Sequence, residues 1–96
     1  MNEVGFRKWL EESGTQKKVV SDVISRLKRV EREFEQIDLD EEYDSDNCER
    51  ILSAFSNCGR NEVMESYPYA TFPIGQYHIN TYKVAVRKYI EYRKNE

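Results

Sequence analysis

Cysteine and histidine are scarce in this sequence, which limits the kinds of site that it can build. The 96 residues include two cysteines, Cys48 and Cys58, and a single histidine, His78. We predict that both cysteines lie on one helix, where ten residues at about 1.5 Å each separate them by roughly 15 Å, too far for a disulfide. There is no Cys-x-x-Cys pair and no second histidine to complete a zinc site. We therefore expect two reduced thiols, no metal and no cofactor.

Long apolar runs and catalytic motifs are also missing. No run reaches the roughly 18 apolar residues that a membrane-spanning helix needs, and the N-terminus lacks the apolar centre of a signal peptide. We therefore expect a cytoplasmic protein without membrane contact. The sequence has no Gly-rich phosphate loop, no Gly-x-Ser-x-Gly and no His-Glu-x-x-His. His78 lies in an aromatic stretch, where histidine more often packs or faces solvent than acts as a base. No enzymatic activity is expected.

Glycine and proline are rare, and the apolar spacing between them is helical. The clearest pattern is a second helix, capped by Thr15 and running to about Gln36, with one apolar face at i, i+3 and i+7 spacing. That face consists of Val20, Val23, Leu27, Val30 and Phe34. We predict that this helix organises the fold.

Three further helices are predicted around it. The first spans Glu3 to Glu12 and stops at Gly14. A third begins at Asp44 or Asp46, ends at Gly59, and is followed by a possible helical turn from 61 to 66. The last runs from an Asn80 cap to about Lys94. The sequence thus predicts one all-α domain over residues 1–96, a compact bundle of four main helices.

The net charge of −3 conceals a segregation of charge along the chain. Residues 1–30 carry seven basic and four acidic side chains, residues 31–50 carry two and ten, and residues 51–96 carry six and four. Two mildly basic segments therefore flank one acidic stretch at 31–49. If the second and last helices are neighbours, their cations can form a patch that neutralises phosphates. The alternative is ordinary alternation of charge along a solvated helix surface.

The acidic stretch places carboxylates where a calcium loop needs them. Six acids occupy positions 1, 3, 5, 7, 9 and 12 of an EF-hand loop: Asp38, Asp40, Glu42, Asp44, Asp46 and Glu49. The pattern fails at position 6, where Tyr43 replaces the glycine of the sharp turn, and at position 8, where Ser45 replaces an aliphatic residue. A solvated acidic loop that caps the third helix is the preferred interpretation.

The stretch from Tyr67 to Ile79 is rich in aromatic residues and contains both prolines. Because disordered segments are poor in aromatics, we predict a loop packed on the core. Phe72 and Ile74 are predicted to be buried. Three tyrosines, Tyr67, Tyr69 and Tyr77, are candidates for a protein interface or for base stacking.

Two blocks of the sequence resemble a known family. Phe6-Arg-Lys-Trp-Leu-Glu-Glu-Ser-Gly-Thr, followed by Val20-Ser-Asp-Val-Ile-Ser-Arg-Leu-Lys-Arg-Val, resembles the opening of the core-binding, SAM-like helical domain of tyrosine recombinases and phage integrases. The segment from Ile79 to Tyr92 is similar to the last helix of that domain. The acidic stretch and the Tyr-Pro-rich loop depart from the family pattern.

The resemblance implies DNA binding without strand cleavage, in a mobile-element or DNA-processing setting. The family domain contacts DNA through basic helix faces, and a separate domain carries the catalytic residues. The residues carried over from the matching blocks as candidate contacts to duplex DNA are Lys17, Lys18, Arg26, Arg29, Arg87 and Lys88. The competing hypothesis is a protein-interaction module that offers its acidic stretch and exposed tyrosines to a basic partner, or that regulates a nucleic-acid enzyme.

Overall fold

Six α-helices and two short 3₁₀ helices form the fold. The computed structural model describes residues 1–95, and no β-strand occurs among them. The α-helices are α1 (Glu3–Glu12), α2 (Lys17–Glu33), α3 (Leu39–Asp46), α4 (Glu49–Ser53), α5 (Glu62–Glu65) and α6 (Asn80–Lys94), and the 3₁₀ helices span Ser56–Gly59 and Tyr77–Ile79. The all-α class is confirmed, although the chain is divided into more helices than the predicted four.

The helix α2 lies at the centre, as its apolar spacing predicts. Its inner face, from Val20 to Val30, is at most 3% exposed to solvent. The most extensive helix–helix contact joins α2 to α6, and α1 packs against both of these helices. The second and last helices are therefore neighbours, which is the condition that a basic surface shared between them requires.

The predicted start and end of α2 need small corrections. Thr15 does not cap this helix, because Gln16 precedes its first residue and makes no side-chain capping bond. The helix ends at Glu33, before the predicted Gln36. Phe34 turns out of the helix, and both Glu35 and Gln36 adopt left-handed backbone angles.

The acidic stretch forms a helix, α3, where a loop was expected. Asp38 caps it by accepting a hydrogen bond from the Asp40 amide at 2.9 Å. The acids in the first turn lie close to the positive end of the helix dipole, which stabilises them there. Carboxylates that alternate in a calcium loop instead point to different sides of a helix.

The predicted third helix is wrong, because the chain breaks twice within it. Asn47 and Cys48 are left-handed and separate α3 from α4, while Asn57 and Cys58 are left-handed within the 3₁₀ helix. The two cysteines therefore lie at separate breaks rather than on one helix, and both thiols are free. Burial raises the pKa of the Cys48 thiol to about 12, which keeps it protonated and unreactive.

A cluster of aromatic rings packs in the core at the C-terminal end of α2. Phe34 packs against Phe55, Tyr67 and Phe72 with ring centroids 4.8 to 5.7 Å apart. This cluster fixes the aromatic loop on the core, as predicted. Phe72 is buried as expected, but the prediction for Ile74 is wrong, since its side chain is 42% exposed.

Replacing Gln36 by glycine is expected to stabilise the fold by about 1 kcal/mol. Gln36 has φ of 59°, and a left-handed residue other than glycine costs about 1–2 kcal/mol, part of which glycine's greater freedom in the unfolded chain offsets. Its exposed side chain makes no contact that the substitution would remove. Chemical denaturation measures the change, with Ser21→Gly, inside α2, as a control that should destabilise. A less stable Gln36→Gly variant would show that the turn is not strained.

Candidate nucleic-acid interface

Four cations of α2 were predicted to contact DNA. Three of them make no polar contact within the described residues, and the fourth, Arg29, is bound within the fold. Lys17 and Lys18 are exposed and Arg26 is half-buried. Within residues 1–95, none of these three forms an ion pair or a side-chain hydrogen bond. Their positive charges are therefore available to an external anion.

Arg29 is engaged within the fold. Its guanidinium donates to the Tyr82 hydroxyl and, at 2.8 Å, to the Thr71 carbonyl oxygen. It also lies over the rings of Phe72 and Tyr82, 5.4 Å from each centroid. This side chain ties the aromatic loop to α2 and α6. A DNA contact by Arg29 would have to break these interactions.

The predicted residues of α6 point in different directions. Arg87 and Lys88 have no ion pair in the part of the chain that the structure describes, but consecutive helical residues differ by about 100° around the axis. Lys88 shares a flank with Val84, one turn earlier. Val84 borders the groove between α2 and α6. Arg87 lies further around the helix, away from this groove.

A groove lies between α2 and α6. Its volume is about 360 Å³. Apolar, aromatic and polar side chains line it: Val23, Arg26, Tyr77, His78, Asn80, Thr81, Val84 and Ala85. Arg26 forms part of its wall. We call three of the six predicted contacts the groove cations: Arg26, which lines the groove, Lys18, two turns before Arg26 on α2, and Lys88, one turn after Val84 on α6.

Lys17 falls outside this subset. It is nine residues from Arg26, which at about 100° per residue places the two on opposite flanks of α2. Lys17 therefore lies on the side of α2 that carries α1. Of the six predicted contacts, only Arg26 lines the groove, and Arg29 is held by contacts within the fold.

Four of the ten carboxylates of the acidic stretch form ion pairs with two distant positive groups, the Met1 amine and Arg93. The Met1 amino group binds Glu31 at 2.8 Å and also binds Asp38. Arg93 binds Asp40 and Asp44, each at 2.9 Å. Burial lowers the pKa of the Met1 amine, but the hydrogen bonds to Asp38 and Glu31 outweigh it and raise the pKa above 8.0. These carboxylates are consequently less available to a basic partner.

The phenol of Tyr89 extends the same network. It donates to Asp40 and accepts a hydrogen bond from the Asn2 amide at 2.8 Å. Burial, followed by the hydrogen bond to Asp40, raises the pKa of Tyr89 well above its usual value. The network holds α3 against α6 and the N-terminus, at some distance along α2 from the groove.

Asp22 is an acidic residue that lies between two of the groove cations, Lys18 and Arg26, on α2. It is half-buried and has no ion-pair partner among the described residues. It lies one turn from Lys18 and one turn from Arg26, on the same side of α2. Its carboxylate lowers the positive potential of this surface.

The three candidate interface tyrosines differ in exposure. Tyr67 is buried against Phe34, so its ring is not accessible to a partner. Tyr69 is 89% exposed and Tyr77 is 85% exposed. Tyr77 borders the groove, whereas Tyr69 follows Pro68 at the start of the aromatic loop.

Sequence reasoning missed the groove itself. Asn80 and Thr81 were regarded only as the start of the last helix, and Val84 was not assigned. A signal was present, because Val84 interrupts the basic outer face of α6 and remains 48% exposed. An apolar residue among solvent-facing cations indicates a contact surface, but only the structure shows Val23 opposite it.

Among residues 1–95, no group of three or more His, Cys, Asp or Glu side chains is arranged to hold a metal ion. None of the helices described is both long and apolar enough to cross a bilayer.

No protein-family model, curated protein sequence or solved structure matches this chain.

Proposed function

We propose that the protein is a small non-catalytic module that binds duplex DNA through phosphate contacts, with an arrangement similar to the core-binding domain of tyrosine recombinases. The observation that carries this proposal is the availability of the groove cations, Lys18, Arg26 and Lys88. They have no carboxylate partner within residues 1–95, and four of the ten acids of the acidic stretch, Glu31, Asp38, Asp40 and Asp44, are paired with Met1 or Arg93. The molecule is net acidic, but its charge is unevenly distributed.

Phosphate binding is the chemistry that suits such a surface. Lysine and arginine that neutralise DNA phosphates release condensed counterions, and this release drives association without reading the base sequence. Two of the cations lie on α2 and one on α6, and these two helices are in contact. Arg29 supports this surface indirectly by holding the aromatic loop in place.

The alternative of a basic protein partner has less support. Asp38, Asp40 and Asp44 would have to exchange their contacts with Met1 and Arg93 for contacts with that partner. The exposed Tyr69 is available for such a role, as are Glu41 and Glu49, which are exposed and form no ion pair within residues 1–95.

Asp22→Asn is expected to raise affinity for duplex DNA by about two- to fivefold at low salt. The substitution removes a carboxylate that repels phosphates near Lys18 and Arg26, and exposed charge pairs contribute up to about 1 kcal/mol. Fluorescence anisotropy with a labelled 20-base-pair duplex of random sequence measures the affinity.

The matched control for this experiment is Glu62→Gln. It changes the net charge equally at an exposed position of α5, away from the groove. Equal effects of the two substitutions would show that only net charge matters and that the groove cations are not the binding surface. Absence of binding by the wild type at low salt would overturn the proposed function itself.

A further inference from the structure

We propose that the groove between α2 and α6 holds an unpaired nucleobase, so that the preferred ligand is DNA with an unpaired nucleotide beside a duplex. This inference rests on the proposed function and specifies its substrate class. The groove combines a solvent-exposed aromatic ring, an apolar floor, free polar groups and a free cation. These are the elements with which proteins bind unstacked nucleotides.

Tyr77 provides the ring. It begins a 3₁₀ helix whose last residue, Ile79, is fully buried, so the backbone that carries Tyr77 is anchored in the core. The Tyr77 side chain itself is 85% exposed and contributes little to packing. A nucleobase that stacks on such a ring gains binding energy whatever its identity, because every base has a π-face.

The floor and walls of the groove suit the remaining surface of a base. Val23, Val84 and Ala85 provide small apolar side chains. The side-chain amide of Asn80 makes no hydrogen bond within residues 1–95, which leaves one acceptor and two donors for a base edge. Thr81 is partly engaged, since its hydroxyl donates to the His78 carbonyl oxygen at 2.8 Å.

Charge and size favour a nucleotide over a protein segment. Arg26 lies in the wall, so a phosphate that flanks the bound base meets a free guanidinium. The volume of about 360 Å³ is at the small end of the roughly 300–1,000 Å³ of ligand pockets. A docking helix needs apolar anchors at i, i+4 and i+7, whereas the apolar lining here consists of three small side chains.

The test compares three 20-base-pair probes by fluorescence anisotropy at one salt concentration. The first is an intact duplex, the second carries one unpaired thymidine, and the third carries an abasic residue in its place. The last two have the same phosphates and a similar break in stacking. They therefore differ mainly in the presence of the base.

Wild-type protein is expected to bind the thymidine probe about fivefold or more tightly than the abasic probe, the lower end of what one base–aromatic contact contributes. Tyr77→Ala should remove this difference and leave affinity for the intact duplex unchanged. Because Tyr77 is exposed, the variant should remain folded. Tyr69→Ala is the matched control, with an equally exposed ring outside the groove, and should retain the preference.

Equal affinity of the wild type for the thymidine and abasic probes would overturn the inference, as would a preference that survives Tyr77→Ala. Either result together with normal binding of the intact duplex leaves the proposed function standing. Failure to bind any of the three probes at low salt contradicts both.

Discussion

The double variant Lys18→Glu/Arg26→Glu is expected to lose duplex DNA affinity by a factor on the order of one hundred at low salt. Each substitution removes an attraction to phosphate and adds a repulsion. A charge pair at about 4 Å contributes roughly 1 kcal/mol in water, so four such changes have an upper limit of about 4 kcal/mol. Both side chains lack partners among the described residues, so the fold should tolerate their replacement.

The matched control is Arg60→Glu/Lys94→Glu. Arg60 and Lys94 are also exposed cations without an ion pair in the described chain, and neither lines the groove between α2 and α6. The control lowers the net charge by the same amount. We expect it to reduce affinity by no more than about threefold, through general repulsion. Similar losses in both double variants would assign binding to net charge rather than to the groove cations.

Phe34→Ala is expected to destabilise the fold by about 3–5 kcal/mol, the usual cost of removing a buried phenylalanine ring. Phe34 is fully buried, and its ring contacts Phe55, Tyr67 and Phe72. The substitution would therefore loosen both the end of α2 and the aromatic loop. A domain of this size has a total stability of about 5–15 kcal/mol, so much of it would be lost.

Urea denaturation followed by circular dichroism measures this effect. Val4→Ala provides the control, because Val4 is exposed on α1 and its truncation should change stability by less than about 0.5 kcal/mol. Phe34→Leu should lie between the two. A loss below about 1.5 kcal/mol for Phe34→Ala would contradict the central position of this ring in the core.

Local patterns in the sequence predict α1, the inner face of α2 and the last helix well. The bounds of α1 match the prediction because a polar start and Gly14, with φ of 85°, mark its ends within the segment itself. The short helix α5 follows from Asn61, whose side chain accepts the Met64 amide hydrogen bond at 2.9 Å. Such signals require no knowledge of distant residues.

The helix α3 could not be predicted in the same way. Its many carboxylates suggest a solvated loop when read alone. In the fold they are offset by the Met1 amine, 37 residues from Asp38, and by Arg93, 53 residues from Asp40. The left-handed residues that end α3 include Cys48, which no turn preference identifies. The structure of this region therefore depends on ion pairs between distant residues and on left-handed backbone angles.

The candidate site was predicted in part. Sequence reasoning named the cations of α2 and α6, yet it could not show that Arg29 is bound to Thr71 and Tyr82 or that Lys17 and Arg87 lie away from the groove. These distinctions depend on the crossing of α2 and α6 and on the position of a loop more than 40 residues from Arg29. The groove that Tyr77 borders likewise depends on how α2 and α6 pack together, which the sequence does not show.

The most direct test of DNA binding by the groove cations is the salt dependence of duplex affinity. Anisotropy titrations between about 50 and 200 mM salt give the slope of log K against log salt concentration. Three phosphate contacts predict a slope of about −3, and Lys18→Gln/Arg26→Gln should reduce it to about −1. A wild-type slope near zero, or no binding at the lowest salt, would contradict the account.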